Sequence, residues 1–234
     1  MEYKFYYFPG RGLGEVSRQL FALAGVHYED IRVPKEQWPE LKPKMPFGQM
    51  PVLEVDGQQI PQSLAIARYL ARKFGYAGKT PYEEAIVDAL ADQYKDFYVE
   101  IKGYYYPAMG LAEGDVLKQV GVTGAPNAPT EVSWPRLFFP HDDTHPQIPL
   151  GSPISFVMGP AFLRSHLSKE TVQGFLAGQE LTYADLILAE HIHTMRSVFP
   201  EYTKGFPEIE AHYEKVTSVP ALKKWMETRP KTNF

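Results

Sequence analysis

Pro51-Val52-Leu53-Glu54-Val55-Asp56-Gly57-Gln58-Gln59-Ile60, followed closely by Gln62-Ser63-Leu64-Ala65-Ile66-Ala67, is the stretch on which the fold of this 234-residue chain turns. Residues 51–55 and 58–60 flank Asp56-Gly57, a dipeptide that tolerates the positive φ angles of a tight turn, so they read as a β-hairpin. Ser63 is placed to cap the helix that follows, whose Leu64, Ala67, Leu70, Ala71 and Phe74 form one apolar stripe ending at Gly75. Upstream, Tyr3 to Phe8 is an aromatic-rich strand. After a turn at Pro9 and Gly10, Val16, Leu20, Leu23 and Ala24 recur at helical spacing, with Gly25 as the stop. Tyr28 to Val33 reads as a second strand. A right-handed crossover makes the first two strands parallel, and the hairpin closes the sheet.

Beyond a linker at residues 76–81 the pattern is helical, with Ile86, Leu90, Tyr94 and Phe97 on one stripe. Thr182 and Asp185 form a capping-box variant, with Leu181 and Leu186 as its hydrophobic staple, and a last helix runs from Ala221 to Thr228 before Pro230. Residues 121–153 stand apart. Seven prolines, at 126, 129, 135, 140, 146, 149 and 153, forbid a long helix there and read as a loop or a locally disordered excursion.

Composition narrows the function. The 24 Lys and Arg against 28 Asp and Glu give a net charge of −4, which makes no case for nucleic acid or an anionic membrane surface. No run approaches the roughly 18 apolar residues of a membrane helix, and no secretory signal opens the chain, so a cytoplasmic protein is expected. With no cysteine, disulfide scaffolds, thiol redox chemistry and cysteine-ligated zinc are excluded.

Gly10-Arg11-Gly12-Leu13-Gly14 lies where a dinucleotide-binding turn would, but its third glycine comes one position early, so it reads as a tight turn. His141, Asp142, Asp143 and His145 fall in the proline-rich excursion, with nothing to fix their geometry. His191 and His193, two apart on a helix, point to different faces and cannot chelate one ion, so no metal site is expected. The first domain is more informative. Tyr7 ends the first strand just before a helix N-terminus, an exposed and electropositive place for a hydroxyl. Trp38 and Lys42 share a face if their segment is helical and could grip a carboxylate. A cis Met50-Pro51 bond would leave the Met50 N–H and C=O to a peptide, and Gln62-Ser63 opens a helix whose free N–H groups favour an anion. Together these residues would bind an extended peptide with a carboxylate at each end.

Tyr7-Phe8-Pro9-Gly10-Arg11-Gly12, Trp38-Pro39-Glu40-Leu41-Lys42, Pro46-Phe47-Gly48-Gln49-Met50-Pro51-Val52-Leu53, Gln62-Ser63-Leu64 through Leu70, Leu181-Thr182-Tyr183-Ala184-Asp185 and Pro220-Ala221-Leu222 resemble a glutathione transferase. The similarity is to the sigma class, which includes the haematopoietic prostaglandin D synthase, and in particular to its nematode members. The resemblance implies a thioredoxin-like α/β N-terminal domain, residues 1–79, and an all-α C-terminal domain, residues 81–234, in a homodimer. It implies glutathione as co-substrate, with no metal. By the same resemblance, Tyr7 is the catalytic tyrosine whose hydroxyl donates to the glutathione sulfur, and Trp38 and Lys42 hold the glycyl carboxylate. Gln49 and Met50 fall at the cysteinyl backbone contacts, Pro51 at the cis-proline, and Gly48 is a further glutathione-binding position. Gln62 and Ser63 anchor the γ-glutamyl carboxylate, which Asp96 reaches from the partner subunit. Leu13, Tyr98 and Ile187 are the expected wall of the electrophile pocket.

Three departures qualify the resemblance. Leu13 stands where some members carry an arginine, which weakens electrostatic help for a thiolate and the case for prostanoid isomerisation. Lys95 replaces one aspartate of the synthase's metal-sensitive cluster. Residues 121–153 replace helical sequence of the family, and between an insertion loop and sequence from a retained intron or faulty gene assembly the second is preferred. The expected function is conjugation of the glutathione thiolate to lipophilic electrophiles in detoxification, with peroxidase or prostanoid isomerase side activity. The alternative is a non-catalytic protein on the same scaffold, binding haem or lipid or serving as a crystallin-like structural protein.

Overall fold

The computed structural model describes residues 1–108 and 174–232. The proline-rich segment 121–153, with His141, Asp142, Asp143 and His145, therefore lies outside the described residues.

Four strands form one sheet: β1 (Tyr3–Tyr7), β2 (Glu29–Arg32), β3 (Val52–Val55) and β4 (Gln58–Pro61), in the order β2-β1-β3-β4. β1 is parallel to β2 and antiparallel to β3, and β3 and β4 form the hairpin read from the sequence. Its turn has positive φ at both central residues, +48° at Asp56 and +84° at Gly57, the conformation whose twist suits a two-residue hairpin. Between β1 and β2 runs α1 (Glu15–Ala24), which ends at Gly25 in the left-handed region, φ +62°. α3 (Ser63–Phe74) ends the same way at Gly75, φ +85°, after the short α2 (Trp38–Leu41). Phe5, Leu53, Leu20, Phe21, Ile66 and Leu70 make the first-domain core, all fully buried. Phe21 stacks on Tyr28 with ring centroids 4.2 Å apart.

One local reading changes. Ser63 does not cap α3: it is the first helical residue, and Gln62 occupies the N-cap position with φ +77° and no side-chain capping bond. The linker is also held firmly. Ala77 is buried, Tyr76 N–H donates to the Ala71 carbonyl (2.8 Å), and the Tyr76 carbonyl accepts from Tyr183 N–H (3.0 Å).

The described part of the second domain comprises α4 (Pro81–Ala108), α5 (Tyr183–Val198), α6 (Pro207–Thr217) and α7 (Pro220–Thr228). α5 is buried along most of its length because α1, α4 and α6 all pack on it. The capping box at its start is present: Thr182 N–H and Oγ1–H donate to Asp185 Oδ2 at 2.8 and 2.7 Å. Asp185 Oδ1 accepts from Leu176 N–H and pairs with His212 Nε2, each at 2.8 Å, so one buried carboxylate ties three segments together. Among the described residues, no helix is long and apolar enough to cross a membrane.

His191 is buried between two hydroxyls, with Nε2 2.8 Å from Tyr202 Oη and Nδ1 3.4 Å from Tyr94 Oη. His193 instead pairs with Tyr213 Oη at 2.9 Å, so the two histidines serve separate packing contacts. Burial lowers the His191 pKa to about 4, so the folded chain binds fewer protons than the unfolded chain below neutral pH. This group's stability contribution is complete above about pH 6.5 and is lost as pH falls toward 4, about 3 kcal/mol at the low end. Thermal midpoints followed between about pH 7 and 4 should fall for the native protein and fall less steeply for His191→Gln.

Candidate active site

Sheet register gathers the candidate residues at one end. Tyr7, the last residue of β1, lies opposite Arg32 at the end of β2, and its carbonyl accepts from Val33 N–H at 2.8 Å. On the other side Tyr6 pairs with Val52, the first residue of β3, which in turn pairs with Pro61, the last of β4. The end of β1, the Met50-Pro51 approach to β3 and the Gln62-Ser63 exit from β4 thus share one rim. Four strands at about 4.8 Å spacing make that rim about 14 Å wide.

Tyr7 is half-buried, not exposed as the sequence suggested. Its ring lies between the 3-10 turn Gly12–Gly14 and the fully buried Arg18, whose guanidinium carbon is 5.7 Å from the ring centre. Leu13 N–H donates to the Tyr7 hydroxyl oxygen at 3.1 Å. Because that bond uses an oxygen lone pair, the phenolic proton is left to donate elsewhere. Burial pushes the Tyr7 pKa up to about 12, which keeps the hydroxyl protonated across the physiological range.

The glycines of the turn have a steric reason that the motif alone does not reveal. A Cβ on Gly12 would sit 2.7 Å from the Tyr7 hydroxyl, and one on Gly14 would sit 2.4 Å from Tyr7 Cδ1. The run is a tight turn, as read, and its glycines make room for the tyrosine. Gly14→Ala, whose backbone φ of −89° suits alanine, should therefore displace the ring and cost about 1–3 kcal/mol by overpacking. Denaturant unfolding of the variant checks this, and an unchanged midpoint would contradict it.

On the β2 side of the rim, Lys42 N–H bonds the Trp38 carbonyl, so the two residues are one helical turn apart, as the four-residue spacing required. Trp38 packs edge-on against Phe8, which packs edge-on against Tyr7, with centroids 5.6 and 5.7 Å apart. Lys42 is exposed, and its aliphatic stem lies beneath Gly48, where a Cβ would meet Lys42 Cε at 3.6 Å. Gln49 is exposed and extended. The Met50-Pro51 bond is cis, and among the described residues the Met50 N–H and C=O take no hydrogen-bond partner. On the β4 side, Gln62 is exposed and accepts at its carbonyl from Ile66 N–H (2.9 Å), the first bond of α3, so the amides before Ile66 have no acceptor within the helix.

The expected pocket wall is brought together only in part. Leu13 is 37% exposed above Tyr7. Tyr98, on α4, donates to Tyr106 Oη at 3.2 Å, and Tyr106 lies near enough to Tyr7 to disfavour its ionisation. Tyr106 was not anticipated. Ile187 is buried in the main hydrophobic core, where α5 meets its neighbours. Asp96 and Lys95 are exposed on α4. Arg18 and Arg32 were likewise missed. Arg18 donates to the carbonyls of Phe8 (3.1 Å) and Gly10 (2.8 Å), and Arg32 donates to that of Pro9 (2.6 Å), so together they hold the strand-to-turn passage after Tyr7.

The chain as a whole is similar to known proteins. The family model described as "Glutathione S-transferase, N-terminal domain" matches residues 1–72, and "Glutathione S-transferase, C-terminal domain" matches residues 161–229. The chain is 45% identical to probable glutathione S-transferase 5 of Caenorhabditis elegans, with all of both chains covered. Among solved structures it is similar to monomeric Na-GST-3 of Necator americanus, at 47% identity, TM-score 0.80 and full coverage of both. It is also similar to a Nu-class enzyme of Haemonchus contortus, at 45% identity and TM-score 0.77, covering 100% of this chain and 99% of that one. A thioredoxin-like sheet domain followed by a helical domain, matched over its full length at this identity, places the chain in the glutathione S-transferase family.

Proposed function

We propose that this protein joins the thiolate of glutathione to lipophilic electrophiles, with Tyr7 as the catalytic residue. The observation that carries the reading is the Tyr7 hydroxyl, protonated, fixed by Leu13 N–H and set at the centre of the sheet rim. A thiol attacks well only as thiolate, and near neutral pH most free thiol is protonated. A donor aimed at the sulfur stabilises the anion and lowers the thiol pKa. An extended tripeptide, about 10–11 Å long, fits across a rim of the width given above. In that pose Trp38 and Lys42 take the glycyl carboxylate, with Gly48 keeping the Lys42 stem in place. Gln49 and the open amide groups of Met50, beside cis Pro51, take the cysteinyl backbone. Gln62, Ser63 and the N-terminus of α3 take the γ-glutamyl carboxylate, with its negative charge toward the helix dipole. Leu13, Tyr98 and Tyr106 form the described part of the electrophile wall.

In the homodimer we infer, Asp96 of one subunit reaches the γ-glutamyl end in the other. Sedimentation of the protein, with and without Asp96→Ala, tests this, and a monomer that turns over normally would oppose it, a relevant outcome since Na-GST-3 is monomeric. For class, the sigma-type motifs compete with similarity to a Nu-class enzyme. Leu13, in place of a cation beside the sulfur, weighs against prostanoid isomerisation as the main activity. Detoxification in the cytoplasm is the setting we infer. Retention on immobilised glutathione followed by a chlorodinitrobenzene assay tests the central reading. Retention with turnover supports it, while retention without turnover would favour a binding or structural role.

A further inference from the structure

The turn that carries the Leu13 amide, Gly10-Arg11-Gly12-Leu13-Gly14, has three glycines in five residues and so loses more backbone freedom on ordering than most segments. Its approach is fixed by Arg18 and Arg32 through the carbonyls of residues 8–10, and its 3-10 closure is the bond from Gly14 N–H to the Arg11 carbonyl (3.1 Å). Beyond Gly10 the turn is anchored by a side chain that leaves the domain. Arg11 is 3% exposed and reaches the second domain, where its Nη1 lies 2.7 Å from Glu190 Oε1 on α5. Glu190 is itself immobilised by Gln19 Nε2 (3.0 Å), Arg229 Nη1 (2.9 Å) and Thr194 Oγ1 (3.4 Å). Arg229 continues to Glu15 (2.7 Å), which also accepts from Trp225 Nε1 (2.8 Å) and Arg18 (3.4 Å). A buried charge-assisted bond of this kind is short and directional, so a displaced Glu190 would take the turn with it.

We propose that Glu190 and Arg11 are positioning residues for the thiolate-stabilising hydroxyl: the helical domain, through this buried ion pair, holds the turn where Leu13 N–H meets Tyr7. The proposal rests on the reading of Tyr7 given above. Neither side chain need touch glutathione. Their effect is transmitted through the turn, whose amide donates to the Tyr7 oxygen and makes its proton a better donor to sulfur.

The test is the pKa of the glutathione thiol in its binary complex, followed by thiolate ultraviolet absorbance, with kcat and KM for glutathione measured alongside. Wild type, Tyr7→Phe, Glu190→Gln and Arg11→Met are compared after circular dichroism shows each folded. Positioning predicts that Glu190→Gln and Arg11→Met both raise the thiol pKa by about one unit, a tenfold loss of thiolate at fixed pH. It predicts a kcat deficit of about tenfold near neutrality that closes at high pH, with KM nearly unchanged because the peptide-holding residues lie on other segments.

A direct field effect predicts opposite signs. Losing the Glu190 anion would then lower the thiol pKa, and losing the Arg11 cation would raise it, an outcome that overturns the proposal. Unchanged thiol pKa in both folded variants also overturns it, with Tyr7 left intact if Tyr7→Phe raises the value. Should Tyr7→Phe leave the value unmoved, the Tyr7 reading fails and the proposal with it. If Glu190→Gln does not fold, Glu190→Asp decides: the charge is kept, so a field effect leaves the thiol pKa unchanged, whereas drawing the carboxylate back from Arg11 raises it under positioning, and no rise overturns the proposal.

Discussion

Tyr7→Phe is expected to fold and to bind glutathione like the native protein, while its turnover with chlorodinitrobenzene falls by about 10- to 1,000-fold. The ring keeps its packing: Phe5 and Phe8 lie at centroid distances of 6.5 and 5.7 Å, and the Arg18 guanidinium still faces the ring. The hydroxyl also serves as acceptor for Leu13 N–H, but that bond is solvent-exposed, so water can replace it at small cost. What the variant lacks is the proton aimed at sulfur. Its deficit should therefore be largest near neutral pH and shrink as alkali ionises the thiol unaided. A kcat–pH profile of both proteins measures this. Turnover equal to wild type at neutral pH would refute the assignment of Tyr7.

The second large effect concerns stability. Asp185→Ala should lower the unfolding free energy by about 3–5 kcal/mol, measured by urea denaturation. Asp185 is fully buried and takes four donors from Thr182, Leu176 and His212, so truncation leaves two buried backbone N–H groups without their acceptor. It also removes the reciprocal half of the cap on α5, the helix that α1, α4 and α6 all pack against. Asp185→Asn keeps an acceptor and should lose less. A loss under about 1 kcal/mol in the alanine variant would contradict this account of the cap.

Local signals survived translation into structure where the physics is local. Asp56-Gly57 reads as a tight turn because few dipeptides accept two positive φ angles, and that is the conformation they adopt. Gly25 and Gly75 end their helices in the left-handed region, and Thr182 and Asp185 cap α5 reciprocally. Features that depend on distant partners were not legible. On periodicity, Glu15, Arg18 and Gln19 belong to the solvent side of α1, yet all three are buried because α5 and α7 cover that side. Arg11 and Glu190 are separated by 179 positions, and no spacing rule joins them. Ile187, expected in the pocket wall, is buried in the core, and an apolar side chain on a helix carries no mark in the sequence of what it faces. Ser63 is a good capping residue by type, but the backbone enters the helix one position earlier, through an unusual Gln62 conformation. Gly12 and Gly14 advertised a turn, and their clearance from the Tyr7 ring became visible only once that ring was in place.

The most direct measurement is a crystal structure of the protein with glutathione bound. The tripeptide is expected to lie across the end of the sheet, its sulfur within hydrogen-bonding distance of the Tyr7 hydroxyl and its cysteinyl amide groups paired with Met50. Glutathione bound elsewhere, or bound there with its sulfur turned away from Tyr7, would contradict this expectation.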